Sequence, residues 1–283
     1  MIELATLTSD VRSHVQDLLS RVTEADGVRP VNESADLVID GHRPGHFLLA
    51  THDDLIVGLA VLDDRDSTIQ LAVDPGHRRH GHGAALLHAA LQQAPQSSVW
   101  AFGTQAGAQA LASSLGLRPT RELLKMGRPL SLEVQPDVPN GWSIRPFGSA
   151  DAEGVVATNA ASFTHHPEQG KLTVKEFHDL TGQPWFSHEG LLVATPTDAP
   201  TVAGFHWTKR HDERVGEVYV LAVHPQHSGQ GLGRALLEAG LAHLSGIGCT
   251  EVILFVEASE ERVVEMYRSA SFVTINTDTS YRS

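Results

Sequence analysis

The sequence predicts an α/β protein built from two tandem domains of the same fold. A strand, a glycine-rich turn and a helix occur twice, as LAVDPGHRRHGHGAALL (71–87) and LAVHPQHSGQGLGRALL (221–237), 150 positions apart. Over 21 positions aligned from the start of these stretches, 12 are identical. A spacing this long indicates tandem domains, because solenoid repeats recur at about 20–50 residues. The length of 283 residues also fits two domains, since domains average about 150 residues.

The boundary between the domains is predicted in PLSLEVQPDVPNGW, residues 129–142. Three prolines and an Asn-Gly pair interrupt the pattern there, and such residues mark turns and linkers. We therefore expect one domain over residues 1–138 and a second over residues 139–283.

In the first half, the predicted elements mix strands and helices. MIELATL is a strand-like run, and TSDVRSHVQDLLSRVTEADG has a helix-capping start and a closing glycine, Gly27. HFLLATHD and LIVGLAVLDD are β-rich runs on either side of a turn at Asp53-Asp54, and STIQLAV is a third such run. A helix over 83–93 follows the glycine turn, and SSVWAFG, a helix over 105–115 and ELLKMGRPL complete the half.

The second half repeats this order. Strands are predicted at GLLVATP, TVAGFHWTKR and GEVYVLAV, followed by the glycine turn, a helix over 232–245, the strand EVILFVEA, a helix over 260–269 and FVTINT. Antiparallel strand pairs followed by strand–helix–strand–helix–strand predict a mixed, mostly antiparallel sheet flanked by helices in each domain.

Composition narrows the classes of partner. The formal charge of −13 and the pI near 5.6 argue against nucleic acid, which requires concentrated Lys and Arg. No apolar run approaches the roughly 18 residues of a membrane span, and MIELATLTSD lacks the features of a signal peptide. The single cysteine, Cys249, fits a reducing compartment. We therefore expect a cytoplasmic protein without a nucleic-acid or membrane partner. That the protein is a monomer is a separate expectation, which composition does not decide.

The glycine-rich turns are candidate phosphate sites. Gly229, Gly231 and Gly233 occupy alternate positions before a helix. Backbone N–H groups can therefore approach a ligand, and the helix N-terminus adds partial positive charge. A turn that binds nothing is the alternative, because glycine also serves turns without ligands. Neither turn has the Gly-Lys-Ser/Thr of a Walker loop or the G-x-G-x-x-G of a dinucleotide site.

Arg78-x-x-Gly81-x-Gly83 after VDP, and the second turn from Ser228 after VHP, share one spacing. Both resemble the acetyl-coenzyme A (acetyl-CoA) site of the Gcn5-related N-acetyltransferases (GNAT), Arg/Gln-x-x-Gly-x-Gly/Ala; only Ser228 departs from it. LFVEASEERVVEMYRSASF resembles the family's later strand–helix unit, with departures at RSASF and at Glu260, where asparagine is common. The resemblance covers both halves and implies two tandem GNAT domains.

By this resemblance, acetyl-CoA would contact both turns. In the second half, the implied contacts are Leu221, Ala222, Val223, Ser228, Gly229, Gln230, Gly231, Leu232, Gly233, Arg234 and Glu260. In the first half, they are Leu71, Ala72, Val73, Arg79, His80, Gly81, His82, Gly83 and Ala84. No metal is expected, because His77, His80 and His82 flank the first turn without a recognised zinc-ligand spacing.

Acetyl transfer to an amine requires a base for the amine and benefits from an acid for the departing thiolate. The resemblance implies Glu217 as the base and Tyr267 as the acid. Glu217 lies on the strand that enters the second turn, and Tyr267 lies on the helix after the next strand. A solvent-facing carboxylate and a core aromatic are the plainer alternatives. In the first half, Ser67 and Ala112 stand at the matching places, so that half is expected to bind acetyl-CoA without catalysis.

Four groups of residues carry a closer resemblance, to tandem GNAT enzymes that acetylate the cysteinyl amine of a cysteine–glucosamine–inositol conjugate. They are ADGVRPVNE; HPEQG; PWF with FHWTK; and GEVYVLAVHP with the terminal DTSY. The implied contacts of this small-molecule substrate are Glu33, Glu168, Lys209, Glu217 and Phe255. Carboxylates suit a polyol and an ammonium group. Two alternatives stay open: acetylation of another small amine or a peptide N-terminus, and a non-catalytic sensor of coenzyme A.

Overall fold

The computed structural model describes residues 2–4, 8–131, 136–164 and 169–283. These residues form two compact units. The first comprises the described part of residues 1–124 with 257–259 and 276–283, and the second comprises the described part of 125–256 with 260–275. Each unit therefore includes chain from both predicted segments, and the division at residue 138 stays a prediction.

The elements follow one another in the expected order. Those of the first half are β1 (Ile2–Leu4), α1 (Ser9–Asp26), α2 (Glu33–Ile39), β2 (Gly45–His52), β3 (Leu55–Asp63), β4 (Thr68–Val73), α3 (His82–Gln93), β5 (Ser98–Ala101), α4 (Ala106–Ser114) and β6 (Arg118–Pro129). Those of the second half are β7 (Trp142–Pro146), α5 (Ala152–Ser162), α6 (Val174–Thr181), β8 (Leu191–Pro196), β9 (Gly204–Arg210), β10 (Val215–Val223), α7 (Leu232–Gly246), β11 (Glu251–Glu257), α8 (Glu261–Ser269) and β12 (Val273–Arg282).

Helix α1 matches its prediction because of its caps, whereas α2 was not predicted because of its short length. The Thr8 side chain accepts a hydrogen bond from the Val11 N–H, and Gly27 ends α1 with φ 68°. Asn32 caps α2 in the same way, but α2 has only seven residues. So short a helix shows little periodicity. The sequence also misses β7, α5 and α6, and β12 extends beyond FVTINT to Arg282.

In the first unit, the sheet order is β1-β2-β3-β4-β5-β12-β6, and β6 continues into the second unit. The pairs β1–β2, β2–β3, β3–β4 and β5–β12 are antiparallel, whereas β4–β5 is parallel. One core cluster packs α1 and α2 against the sheet, and another includes buried residues of α3 and α4. Apolar side chains of this sheet are therefore buried on both faces.

In the second unit, the sheet order is β6-β11-β10-β9-β8-β7. The pair β10–β11 is parallel, and the pairs β9–β10, β8–β9 and β7–β8 are antiparallel. An aromatic-rich core joins β8, β9 and β10 to α5 and α6, with Phe177, Phe205 and Trp207 fully buried. The predicted α/β class, with a mixed and mostly antiparallel sheet flanked by helices, is confirmed. No helix among the described residues is long and apolar enough to cross a membrane.

Candidate active site

In the second unit, β10 and β11 pair only at their beginning. The register covers four residue pairs, from Val215 with Glu251 to Val218 with Leu254. Within the described chain, β10 then continues to Val223 without further pairing to β11. Backbone groups on that edge of β10 are therefore available to a ligand, because a parallel neighbour would otherwise bond them.

A β-bulge lies at the same point of β10. On the other side of the strand, Val218 pairs with Thr208 of β9, whereas Val220 pairs with Trp207, so Tyr219 is the extra residue. A bulge turns the side chains near it and is frequent beside active sites. The carboxylate of Glu217, the predicted base, lies two residues before the bulge.

Glu217 is largely buried, and its carboxylate has a strong polar contact. Its side chain is 9% exposed, and Oε2 lies 2.6 Å from Nε2 of His211 in the turn between β9 and β10. Lys209 is the residue opposite Glu217 on β9. The Nζ of Lys209 lies 4.5 Å from the ring centre of Trp185 and 5.0 Å from that of Tyr219. These aromatic faces favour a cation at this position.

The second glycine turn has the backbone conformation that a phosphate site requires. Gly229 and Gly231 have φ of 78° and 82°, in the left-handed region that favours glycine. Gly231 is the N-cap of α7 and, lacking a side chain, leaves the first N–H groups of the helix uncapped. The first turn of α7 has no acidic residue. Arg234 is exposed and ion-paired with Glu238 at 2.8 Å.

Tyr267, the predicted acid, is on α8 and is 6% exposed. Its ring packs edge-on against Phe272 at 5.6 Å. Burial raises the pKa of Tyr267, so the phenol stays protonated at neutral pH. Within the described part of the chain, the hydroxyl has no hydrogen-bond partner. A protonated phenol of this kind can donate a proton to a bound molecule.

The first glycine turn has nearly the same backbone conformation as the second. Gly81 has φ 86° and is the uncapped N-cap of α3, and Arg79 has φ 66° at the place of Gly229. Arg78, which opens the motif, binds Asp26 through two hydrogen bonds of 2.8 Å. Ser67 is exposed and Ala112 is buried. Neither side chain has the carboxylate of Glu217 or the phenol of Tyr267.

The remaining predicted contacts have different surroundings. Glu33 is exposed on the first turn of α2 in the first unit, and Glu168 lies outside the described residues. Phe255 of β11 is 42% exposed, with Nζ of Lys125 5.8 Å from its ring centre. Glu260 is exposed at the start of α8. The sequence analysis did not predict His211 as a site residue. His211 and Glu217 are six residues apart, and the hairpin turn between β9 and β10 brings their side chains together.

Histidines also gather at the first turn. The ring centres of His77 and His82 lie 5.7 and 6.0 Å from that of His52. Burial, followed by the neighbouring histidines, lowers the pKa of His82. In the part of the chain that the structure describes, no group of three or more His, Cys, Asp or Glu residues could hold a metal ion. Cys249 is buried, which raises the pKa of its thiol and disfavours a nucleophilic role.

A family model for the acetyltransferase (GNAT) family matches the chain twice, at residues 13–117 and 160–272. The chain belongs to the GNAT family. The two matches confirm the predicted pair of GNAT domains. The two uncapped glycine turns and the short β10–β11 pairing are thus features of a GNAT acetyltransferase.

Within this family, the GNAT chain is similar to proteins named mycothiol acetyltransferase. The one from Propionibacterium freudenreichii subsp. shermanii is 43% identical over 281 residues, which cover 97% of this chain and 89% of that protein. The one from Streptomyces coelicolor is 41% identical over 293 residues, which cover 99% and 94%. The closer resemblance found in the sequence is therefore confirmed.

Solved structures agree on the fold. A GCN5-related N-acetyltransferase from Sphaerobacter thermophilus has a TM-score of 0.76 at 21% identity and covers 100% of this chain and 95% of its own. A tandem GNAT protein from the clavulanic acid biosynthesis pathway has a TM-score of 0.74 at 16% identity, with 99% and 98% covered. At these identities the likeness shows the tandem GNAT fold.

Proposed function

We propose that this GNAT protein acetylates the cysteinyl amine of cysteinyl-glucosaminyl-inositol with acetyl-CoA, in the last step of mycothiol biosynthesis. The substrate assignment rests on the similarity to proteins named mycothiol acetyltransferase, which extends over 97–99% of the chain. The reaction is supported by Glu217 and Tyr267, a buried carboxylate and a protonated phenol in one unit.

Acetyl-CoA fits the second glycine turn on chemical grounds. The N–H groups at the start of α7 have no side-chain cap, and such groups together with the helix dipole favour a diphosphate. Residues 228–234 would hold the diphosphate, and Leu221, Ala222 and Val223 would bind the pantetheine part through the open edge of β10. When bound, acetyl-CoA supplies an acetyl thioester that an amine can attack.

Glu217 acts as the base in this proposal. The substrate amine arrives largely as ammonium, which has no free electron pair. Glu217 removes one proton, so that the N–H bonding electrons become the attacking pair. His211 contacts the carboxylate at 2.6 Å, and Lys209 is the residue opposite Glu217 on β9.

Two groups act on the acetyl side. Backbone N–H groups near Leu221, on the open edge of β10, would donate to the carbonyl oxygen as its negative charge grows. Tyr267 would give its proton to the departing sulfur. Burial raises the pKa of Tyr267, so the phenol carries its proton at neutral pH and can donate it to the sulfur as negative charge develops there.

Substrate selection is assigned to a small set of side chains. Glu33 and Glu168 would accept hydrogen bonds from the sugar and inositol hydroxyls, Lys209 would donate to them, and Phe255 would offer an apolar face. The first glycine turn would bind a second acetyl-CoA without chemistry, because Ser67 and Ala112 replace the base and the acid. The protein would act as a cytoplasmic monomer, and a single free cysteine suits a reducing compartment.

A comparison of substrates tests this proposal. We expect kcat/KM for cysteinyl-glucosaminyl-inositol to exceed that for free cysteine, glucosamine, spermidine and a short peptide by at least about 10²-fold each, because the smaller amines leave polar groups of the site unpaired. A higher value for spermidine or the peptide would instead support acetylation of another amine. Binding of acetyl-CoA without acetylation of any of the five would support a sensor.

A further inference from the structure

The contact between His211 and Glu217 lies at the centre of the proposed chemistry. His211 Nε2 and Glu217 Oε2 are 2.6 Å apart, well within hydrogen-bond distance. The His211 side chain is 38% exposed and that of Glu217 is 9% exposed. The buried carboxylate thus contacts a more exposed imidazole, whose ring nitrogen can donate a hydrogen bond.

The turn that carries His211 is held by its own hydrogen bonds. The His211 N–H donates to the Val215 carbonyl at 2.9 Å. Asp212 Oδ1 accepts from the N–H groups of Arg214 and Val215 at 2.7 and 2.8 Å. The imidazole therefore reaches Glu217 from a preorganised turn, and little conformational entropy is lost when their hydrogen bond forms.

We propose that His211 is a positioning residue for the base: its Nε2–H donates to Oε2 of Glu217, which leaves Oε1 as the oxygen that takes the substrate proton. The proposal rests on the assignment of Glu217 as the base. In the step itself, one N–H bond of the ammonium breaks, an O–H bond forms on Oε1, and the electron pair stays on nitrogen. His211 keeps its Nε2 proton throughout.

His211 also has an electrostatic effect. Burying a charged group is costly unless it is hydrogen-bonded or paired, and His211 lies within hydrogen-bond distance of the buried Glu217 carboxylate. Other charged groups act on the pair as well. Lys209 lies opposite Glu217 on β9, and Asp212 lies beside His211 in the turn. On the side of β11, the Arg214–Glu251 ion pair spans 2.6 Å.

Two substitutions at His211 distinguish the loss of its hydrogen-bond donor from the loss of the imidazole ring alone. His211→Ala removes the donor, whereas the side-chain amide of His211→Gln can still donate to Oε2. With the precursor and acetyl-CoA, we expect His211→Ala to lower kcat roughly tenfold or more, because a hydrogen bond to a charged group contributes about 1.5–3 kcal/mol. The acidic limb of the kcat/KM–pH profile should move to higher pH, because the hydrogen bond to the charged base is lost. His211→Gln should keep at least about half of the wild-type kcat and an unmoved limb.

A matched control and a double variant complete the test. Glu213→Gln changes a charge on the same exposed turn and should leave rate and pH profile unchanged. If His211 acts through Glu217, the double variant His211→Ala/Glu217→Gln should be no slower than Glu217→Gln alone. The proposal would be overturned if His211→Ala had the kcat and the pH profile of the wild type. It would also be overturned if His211→Ala and His211→Gln lost kcat equally and the acidic limb of the kcat/KM–pH profile did not move. Wild-type activity in Glu217→Gln would instead refute the proposed base, so the two failures are distinct.

Discussion

The two glycine turns have almost the same backbone, and the strands that lead into them do not. Gly81 and Gly231 are both uncapped helix N-caps, with φ of 86° and 82°. The β3–β4 pair is regular over all six residue pairs, from Gly58 with Val73 to Asp63 with Thr68. The β9–β10 pair contains a bulge between Val218 and Val220. The duplicated unit has therefore kept the backbone geometry of its glycine turn in both copies, while the strand that carries Glu217, the proposed base, differs from its counterpart.

If the proposed site residues are correct, binding and chemistry depend on separate parts of the repeat. A diphosphate is held by backbone N–H groups, which persist whatever side chains surround them. An acid and a base are side chains, and single substitutions remove them. In the first copy, Ser67 and Ala112 stand at the places of Glu217 and Tyr267, so we propose that the first copy lacks both groups. Even the left-handed position is kept, by Arg79 with φ 66°, although this conformation is strained for a residue with a Cβ.

The largest effect is expected at the base. If only the second copy performs chemistry, Glu217→Gln should lower kcat at least about 10²-fold, because general bases contribute about 10²–10⁴-fold. The affinity for acetyl-CoA should change little. Glu251→Gln, at an exposed ion pair on β11, is the control and should remain close to wild type. Rates are measured by release of coenzyme A thiol, and a Glu217→Gln enzyme of normal rate would remove the contrast between the copies.

A loss of about 10²-fold in kcat is expected at the acid, for Tyr267→Phe. The substitution removes only the hydroxyl, so the contact with Phe272 at 5.6 Å is retained. Because the raised pKa of Tyr267 keeps the phenol protonated, the loss should be the same across neutral pH. A kcat for Tyr267→Phe within twofold of wild type would show that the sulfur leaves without this proton.

The second copy of the repeat, but not the first, is expected to lower the free energy of unfolding at acidic pH. Leu221 pairs with His206 on β9, whereas Leu71 pairs with Ala60 on β3. His206 is fully buried, and burial lowers its pKa from 6.5 to about 4. Below pH 6.5 the unfolded chain therefore binds the proton first, and the folded state loses stability until about pH 4. Between pH 7 and pH 5, His206 should cost about 2 kcal/mol of unfolding free energy.

A transplant from the first copy tests this expectation. A Cβ at Gly240 of α7 would overlap the His206 ring, and the matching residue of α3 is Ala90. The double variant His206→Ala/Gly240→Ala thus carries the pair found in the first copy. In denaturant unfolding, the variant should have a lower free energy of unfolding than the wild type at pH 7. That free energy should fall by less between pH 7 and pH 5 than it does in the wild type. An unchanged pH slope would mean that other groups cause the dependence.

The smallest effect on turnover is expected at the first turn. Arg79→Glu places a negative charge beside the predicted diphosphate and should weaken acetyl-CoA binding there roughly tenfold. Equilibrium dialysis of the full chain should detect two binding sites in the wild type and one strong site in the variant. The kcat should stay within about twofold of wild type. A single site in the wild type would mean that the first turn binds no ligand.

The internal repeat made much of the fold predictable from sequence. The pattern of LAVHPQHSGQGLGRALL predicts β10, the turn and α7, because apolar strands, glycines and helical periodicity are local signals. Helix α2 and the bulge in β10 could not be found in this way. A seven-residue helix shows little period, and a bulge depends on the pairing of two strands. The contact of His211 with Glu217 likewise depends on the length of a hairpin turn.

One matched pair of substitutions tests most directly the claim that only the second copy performs chemistry. Gly81→Val and Gly231→Val place the same β-branched residue at equivalent N-caps with φ of 86° and 82°, so the backbone strain should be similar. We predict that Gly231→Val lowers kcat/KM for acetyl-CoA at least about tenfold, whereas Gly81→Val leaves it within about twofold. Thermal unfolding of both variants measures the strain independently. Equal losses of kcat/KM at similar stability, or a larger loss in Gly81→Val, would contradict the account.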